Sequence, residues 1–267
     1  MPDPEIIDHY ETIREEYRIT AGLGRLELLR TQEVLRRHLP TPPAAIIDIG
    51  GGPGAHAEWL ADAGYQVHLV DLTPRHVKQV RSALTSKGVT AEVGDARVLA
   101  LPSNSFDAAL LLGPLYHLTE RQDRLQALRE AARVVRSGGL IAAGAISRFA
   151  SLFDGLARGF LFDVEFRQIV ERDLRDGQHR NPANRANWFT TAYFHRPEEL
   201  KSEAEQAGLQ VRELVGLEGL AGWMPHLDHR WKTEQGRSAI LYSARTVESE
   251  PALLALSAHL LLIAGAG

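Results

Sequence analysis

Cysteine is absent from the 267 residues, which excludes disulfides, thiolate nucleophiles and cysteine-based zinc sites. No apolar run is long and clean enough to span a bilayer: the longest, around Ala252 to Ala264, is broken by Ser257 and His259. The start, Met1-Pro2-Asp3-Pro4-Glu5, is acidic and has no hydrophobic signal core. An excess of positive charge is also missing. With a net charge of −4 and 30 Lys and Arg against 34 Asp and Glu, the chain lacks the clustered cations that phosphate backbones require. These absences lead to the expectation of a cytoplasmic protein whose substrate is neither nucleic acid nor membrane.

The chain is organised around residues 46–57, Ile-Ile-Asp-Ile-Gly-Gly-Gly-Pro-Gly-Ala-His-Ala. Ile46, Ile47 and Ile49 read as a buried parallel strand, and Ala57, Leu60 and Ala61 as the apolar positions of the helix that follows. Between them Gly50, Gly51, Gly52 and Gly54 make a tight turn that lets backbone approach a ligand, with the unpaired N–H groups of a helix start beside it. The spacing also fits a dinucleotide fingerprint in its Gly/Ala form. Asp48 separates the two readings, because a carboxylate at this strand end repels a pyrophosphate and attracts a cation.

The rest of the first half alternates strands and helices, with strands at 65–70, 89–93, 108–112 and 140–145 and helices from Thr73-Pro74 and from Glu120. On the second helix Arg121, Arg124 and Arg129, with Arg136 just beyond, read as a solvated face. Such alternation predicts an α/β fold with a doubly wound, mostly parallel sheet, whose ligand lies beyond the carboxyl ends of the strands. Asp48, Asp71, Asp95 and Gly113 all fall at such ends. A helical preface over 5–38, interrupted at Gly22 and Gly24, precedes the sheet. After Ala145 the rhythm stops, and residues 147–195, with Phe149, Phe153, Phe160, Phe162 and Phe166, read as an inserted helical cap closed by an Asn181-Pro182-Ala183-Asn184 loop. A helix over 197–207, a sixth strand over 209–217, helical cover over 236–249 and a seventh strand over 259–264 complete one domain of seven strands.

Asp48-x-Gly50-x-Gly52-x-Gly54, Asp71, Gly94-Asp95-Ala96, Phe106-Asp107 and Arg136-Ser137-Gly138-Gly139 together resemble the class I S-adenosylmethionine-dependent methyltransferases over residues 44–146. The resemblance implies S-adenosylmethionine as cofactor and S-adenosylhomocysteine as its product. It implies that Asp48 and the four glycines hold the methionine end, that Asp71 with Leu72 meets the ribose, and that Asp95 with Ala96 meets the adenine. Leu112 and Gly113 would line the methyl donor, with Tyr17 of the preface folding over it. The segment Leu112-Gly113-Pro114-Leu115-Tyr116-His117 lacks the acidic or Asn-Pro-Pro-Tyr type motif of many members that methylate amino groups of nucleic acids or proteins, which favours a small molecule.

Methyl transfer needs an aligned acceptor, exclusion of water and, for a protonated acceptor, a base. Histidine, with an unperturbed pKa of about 6.5, suits the last task. His117 and His195 are the candidates, each with simple packing as the alternative. Trp188, Trp223 and Trp231 are candidates to wall a hydrophobic or aromatic acceptor. His226 and His229 with Asp228 lack a further spaced ligand, so no metal is expected. The expected protein is a monomer or homodimer that methylates O, N or C of a small metabolite. A protein that keeps the cofactor pocket but catalyses a cyclisation is the alternative, and a nicotinamide oxidoreductase is disfavoured by Asp48 and Asp95.

Overall fold

The computed structural model describes residues 21–185 and 187–267. Seven strands form one sheet: β1 (Ala45–Ile49), β2 (Gln66–Asp71), β3 (Thr90–Val93), β4 (Phe106–Leu111), β5 (Val135–Ile146), β8 (Gln210–Gly216) and β9 (His259–Gly265). Their order is β3-β2-β1-β4-β5-β9-β8. All neighbouring pairs from β3 to β5 are parallel, whereas β9 runs antiparallel between β5 and β8. A two-stranded ladder, β6 (Gln178–His179) with β7 (Ala192–Tyr193), belongs to the cap.

The two-residue period of the strands sorts their side chains between two helical layers. Ile46, Leu69 and Leu110 face one apolar layer with Val34 and Leu35 of α1 (Gly22–His38), Leu60 of α2 (Ala55–Asp62) and Val77 and Val80 of α3 (Pro74–Leu84). Ile47, Ile49 and Ile141 face the other, against Leu128 and Ala131 of α5 (Arg121–Val134) and Leu200 and Ala204 of α8 (Pro197–Gln206). A short α4 (Pro114–His117) links β4 to α5. The cap consists of α6 (Ala150–Arg158), α7 (Val164–Asp176) and the β6-β7 ladder. Two further helices, α9 (Leu227–Trp231) and α10 (Glu234–Val247), lie between β8 and β9.

Several expectations need correction. Gly24 does not break the preface: it is buried inside α1. Tyr17 lies outside the described residues. Arg124 is not solvated. It is 1% exposed, because Glu203 of α8 supplies a buried carboxylate opposite it. Phe162 points away from any enclosed core, at 92% exposure. Among the described residues no helix is long and apolar enough to cross a membrane.

α1 is strapped down by charge as well as packing. Arg30, fully buried, donates through Nε to the Leu217 carbonyl at 3.1 Å and pairs with Glu33 and Glu248. A guanidinium so enclosed is tolerable because its N–H groups find acceptors.

Candidate active site

The strand order reverses between β1 and β4, and in open α/β sheets that switch point opens a crevice beyond the carboxyl ends. β1 ends in the glycine turn. Gly50 N–H donates to the Val70 carbonyl at 2.6 Å, which ties the start of the turn to β2. Gly52 has φ +56, a left-handed backbone that favours glycine, and a Cβ there would meet nothing within 4 Å. The turn is therefore open on the side where a ligand would lie.

Asp48 sits beneath this turn. Its side chain is 1% exposed, and neither carboxylate oxygen has a hydrogen-bond partner among the described residues. Burial, and secondarily the nearby Asp71 carboxylate, pushes its pKa up to about 7. Gly51 makes room for it: an added Cβ would stand 2.5 Å from Asp48 Oδ2 and 2.6 Å from Leu69 Cδ1. Gly51→Ala is accordingly expected to destabilise the protein by about 1–3 kcal/mol through overpacking. A denaturant titration checks this, and an unchanged midpoint would show that the turn can shift freely.

Asp71, at the end of β2, is a hub. Its Oδ2 accepts from Gly52 N–H and its Oδ1 from Thr73 N–H, both at 2.8 Å, and His76 Nδ1 lies 3.2 Å from Oδ1. One carboxylate thus fastens the glycine turn to the start of α3. Leu72 follows it, half-buried. Asp95, beyond β3, is held by Arg97, whose NH2 nitrogen lies 2.6 Å from Oδ2 and whose NH1 reaches Asp123 at 2.7 Å. Against the upward push of burial, these Arg97 hydrogen bonds keep the Asp95 pKa below its ordinary value. Ala96 is partly buried against the core cluster that includes Leu99 and Leu115.

On the β4 side, Leu112 and Gly113 abut the turn. A Cβ on Gly113 would lie 3.0 Å from the Gly50 carbonyl oxygen and 3.7 Å from the Tyr116 hydroxyl. Tyr116 therefore stands next to the glycine turn. Its ring centroid is 4.6 Å from that of His117 and 6.3 Å from that of Phe189, and His117 stacks on Phe189 at 6.1 Å and 27°. All three rings are half-buried. Sequence reasoning singled out neither Tyr116 nor Phe189, since no spacing links residue 189 to the turn after β4.

Phe189 also has an unusual backbone, with φ +64. For a bulky side chain such a conformation costs about 1–3 kcal/mol and persists only where surrounding contacts impose it. Asn181 and His179 impose it here. Asn181 Nδ2 donates to the Phe189 and Arg185 carbonyls at 2.8 and 2.9 Å, and His179 Nε2 is 2.7 Å from the Trp188 carbonyl while its Nδ1 is 2.8 Å from Asp173.

His195 is placed differently from His117. It is 0% exposed, its Nε2 lies 3.2 Å from Glu203, and Arg124 grips the same carboxylate through Nε at 2.9 Å and NH2 at 2.7 Å. Burial pushes its pKa below the ordinary value in spite of the Glu203 contact. It is a strut between the cap and α8, and no face of it reaches the crevice. Arg124 extends the strut by donating to the Leu118 and Thr119 carbonyls, both at 2.9 Å, just past His117.

Of the three candidate tryptophans only Trp223 packs against the same buried cluster as Tyr116 and Phe189, that of Ile146, Ala150, Ala192 and Phe194. Trp188 is buried edge-on against Phe166 in the cap, and Trp231 packs with Leu26 and Leu227. Asp228 caps α1, accepting from Gly22 N–H at 2.8 Å. Among the described residues no three His, Asp or Glu side chains are grouped to hold a metal. A hollow of about 470 Å³ on the cap, lined by Arg172, Arg180, Pro182 and Trp188, includes no residue of the glycine turn.

At the switch point the structure thus places a buried carboxylate under an open glycine turn, with acids at the next two strand ends. Comparison with known proteins agrees. Residues 47–143 match the family described as a methyltransferase domain. A ubiquinone biosynthesis O-methyltransferase of Nitrosospira multiformis is 26% identical over 184 residues, 68% of this chain and 69% of that protein. In fold, the chain resembles an S-adenosylmethionine-dependent methyltransferase from Mesorhizobium loti (TM-score 0.61, 18% identity, 90% of this chain and 99% of that one). It also resembles the cyclase SpnF (TM-score 0.57, 15% identity, 92% and 84%). Residues 47–143 carry a methyltransferase domain, and these matches support an S-adenosylmethionine-dependent methyltransferase.

Proposed function

We propose that this single-domain enzyme moves the methyl group of S-adenosylmethionine to O, N or C of a small hydrophobic or aromatic metabolite, acting in the cytoplasm as a monomer or homodimer and not on nucleic acid. The name carried by its curated relatives favours oxygen as the acceptor. The observation that carries the reading is Asp48, a buried carboxylate without a partner among the described residues, at the open turn. Such a group is costly unless a cation compensates it. A phosphate would worsen it.

S-adenosylmethionine, when bound, supplies a methyl group already activated on a positively charged sulfur. Asp48 and the turn of Gly50, Gly51, Gly52 and Gly54 would hold its methionine end. Asp71, which keeps acceptor capacity beyond its two backbone contacts, would take the ribose hydroxyls, and Asp95 with Ala96 the adenine. Leu112 and Gly113 would line the donor. His117, adjoining Tyr116 on the acceptor side, would take the acceptor's proton at a ring nitrogen. His195 is assigned a structural role.

Calorimetry with S-adenosylhomocysteine and NAD tests the cofactor reading. Binding of NAD with no response to S-adenosylhomocysteine would end it. His117→Ala is expected to lower kcat by about 10²–10⁴ at saturating acceptor while leaving cofactor affinity in place, and an unchanged kcat would remove His117 from the base role. A product heavier by one methyl group, formed in equal amount with S-adenosylhomocysteine, separates methyl transfer from cyclisation.

A further inference from the structure

We propose that Phe189 determines acceptor specificity, its ring forming with His117 and Tyr116 one aromatic side of a slot for a planar aromatic acceptor. Asn181 and His179 are the positioning residues that hold it there. The inference rests on the methyltransferase reading above and names the acceptor class.

A left-handed residue is ordinarily glycine, since a Cβ is disfavoured there, yet residue 189 carries one of the largest apolar side chains, at φ +64. Strain of this kind concentrates where a side chain must be aimed. The two carbonyls on either side of that aim are each fixed by a buried side chain: Trp188 O by His179 and Phe189 O by Asn181. Both fixing groups are themselves anchored, His179 on Asp173 and Asn181 through the Arg185 N–H and carbonyl. The loop is thus built to keep one ring in one orientation.

That orientation places the ring against the catalytic end of the sheet. Phe189 lies near-parallel to His117, and Tyr116 of the same group reaches the Gly50–Gly113 contact with its hydroxyl. Phe194, stacked on His179 at 4.8 Å and 19°, backs the group from inside the cap. Half-buried rings meeting at near-parallel and tilted angles offer π faces and edges, which favour an aromatic guest over an aliphatic one of equal size. A purely hydrophobic pocket would not make that distinction.

The test compares 2-naphthol with its saturated counterpart, decahydro-2-naphthol, by calorimetry on the full chain with and without S-adenosylhomocysteine. The unaltered protein is expected to bind 2-naphthol at least about tenfold more tightly, a difference of about 1.4 kcal/mol. Phe189→Gly, which accepts the backbone conformation but removes the ring, should abolish that preference and leave S-adenosylhomocysteine affinity within about twofold. Phe189→Tyr should retain the preference, and Asn181→Ala should reduce it with the same cofactor affinity. Equal affinity for the two probes, binding of neither, or an undiminished preference in Phe189→Gly would overturn the assignment. Phe189→Gly weakening both probes and the cofactor alike would show a merely structural ring, which also overturns it. Loss of S-adenosylhomocysteine binding in the unaltered protein would instead strike the methyltransferase reading, and the probe titration without cofactor still scores the slot.

Discussion

Asp48→Asn should yield a protein that is more stable above neutral pH and at least about 30-fold weaker for S-adenosylmethionine. The stability half follows from proton linkage. Burial, with Asp71 beside it, raises the Asp48 pKa from 3.8 to about 7 in the folded chain. Between those values the folded state holds a proton that the unfolded state has released, so stability falls as pH rises through the window. The full penalty, about 4 kcal/mol at most, is present above pH 7. Asparagine has the shape and neutrality of the protonated acid and carries none of it, so the variant should match the parent near pH 4 and exceed it near pH 8. The affinity half follows because removing one partner of a buried charge pair costs about 2–5 kcal/mol. A cation binding to ionised Asp48 expels the proton, so affinity in the parent should rise with pH up to about 7 and stay flat in the variant. Thermal melts and calorimetry at pH 5 and pH 8 check both halves. A variant that binds S-adenosylmethionine as tightly as the parent would remove Asp48 from the cofactor site.

Arg124→Ala is expected to cost about 3–5 kcal/mol, because it leaves Glu203 charged and buried, with only His195 at 3.2 Å and the more distant Arg121 Nε at 3.8 Å beside it. For a chain of this length that lowers the thermal midpoint by about 10 °C. The same variant frees the Leu118 and Thr119 carbonyls next to His117, so kcat should fall as well. The acid limb carries a matching signature. Against the upward push of burial, hydrogen bonds from His195 and from Arg124 hold Glu203 down to about 2. Its contribution is whole above the unfolded value of 4.5 and is lost as pH falls toward 2, a loss that Glu203→Gln should abolish. His195→Gln separates a strut from a base: a lowered midpoint with kcat retained is the expected result. A kcat reduced 100-fold at an unchanged midpoint would return His195 to catalysis.

The parallel half of the sheet and its glycine turn were legible in one dimension because their signals are local. A β-branched run, an acid and glycines at fixed spacing make the β1 turn, and Thr73-Pro74 starts α3 at a position set by backbone geometry alone. Asp48, Asp71 and Asp95 follow from the rule that parallel strands present their carboxyl ends together. Arg124 shows where that kind of reading stops. Its place on α5 predicted solvent, and only the packing of α8 across the helix supplied Glu203 and turned a surface charge into a buried one. His117 reads in the sequence as the better placed of the two histidines and His195 as the second; that His195 is fully buried against Glu203 depends on the packing of α8 and has no sequence signal.

By itself the sequence determined the sheet, the glycine turn and the acids around it, since each depends on residues within a few positions of one another or on the two-residue and 3.6-residue periods. Tertiary structure alone decided the aromatic group beside the turn. Phe189 comes to His117 across 72 residues, through a cap whose loop is held by Asn181 and His179, and side-chain contacts over such separations leave no periodic trace in the chain.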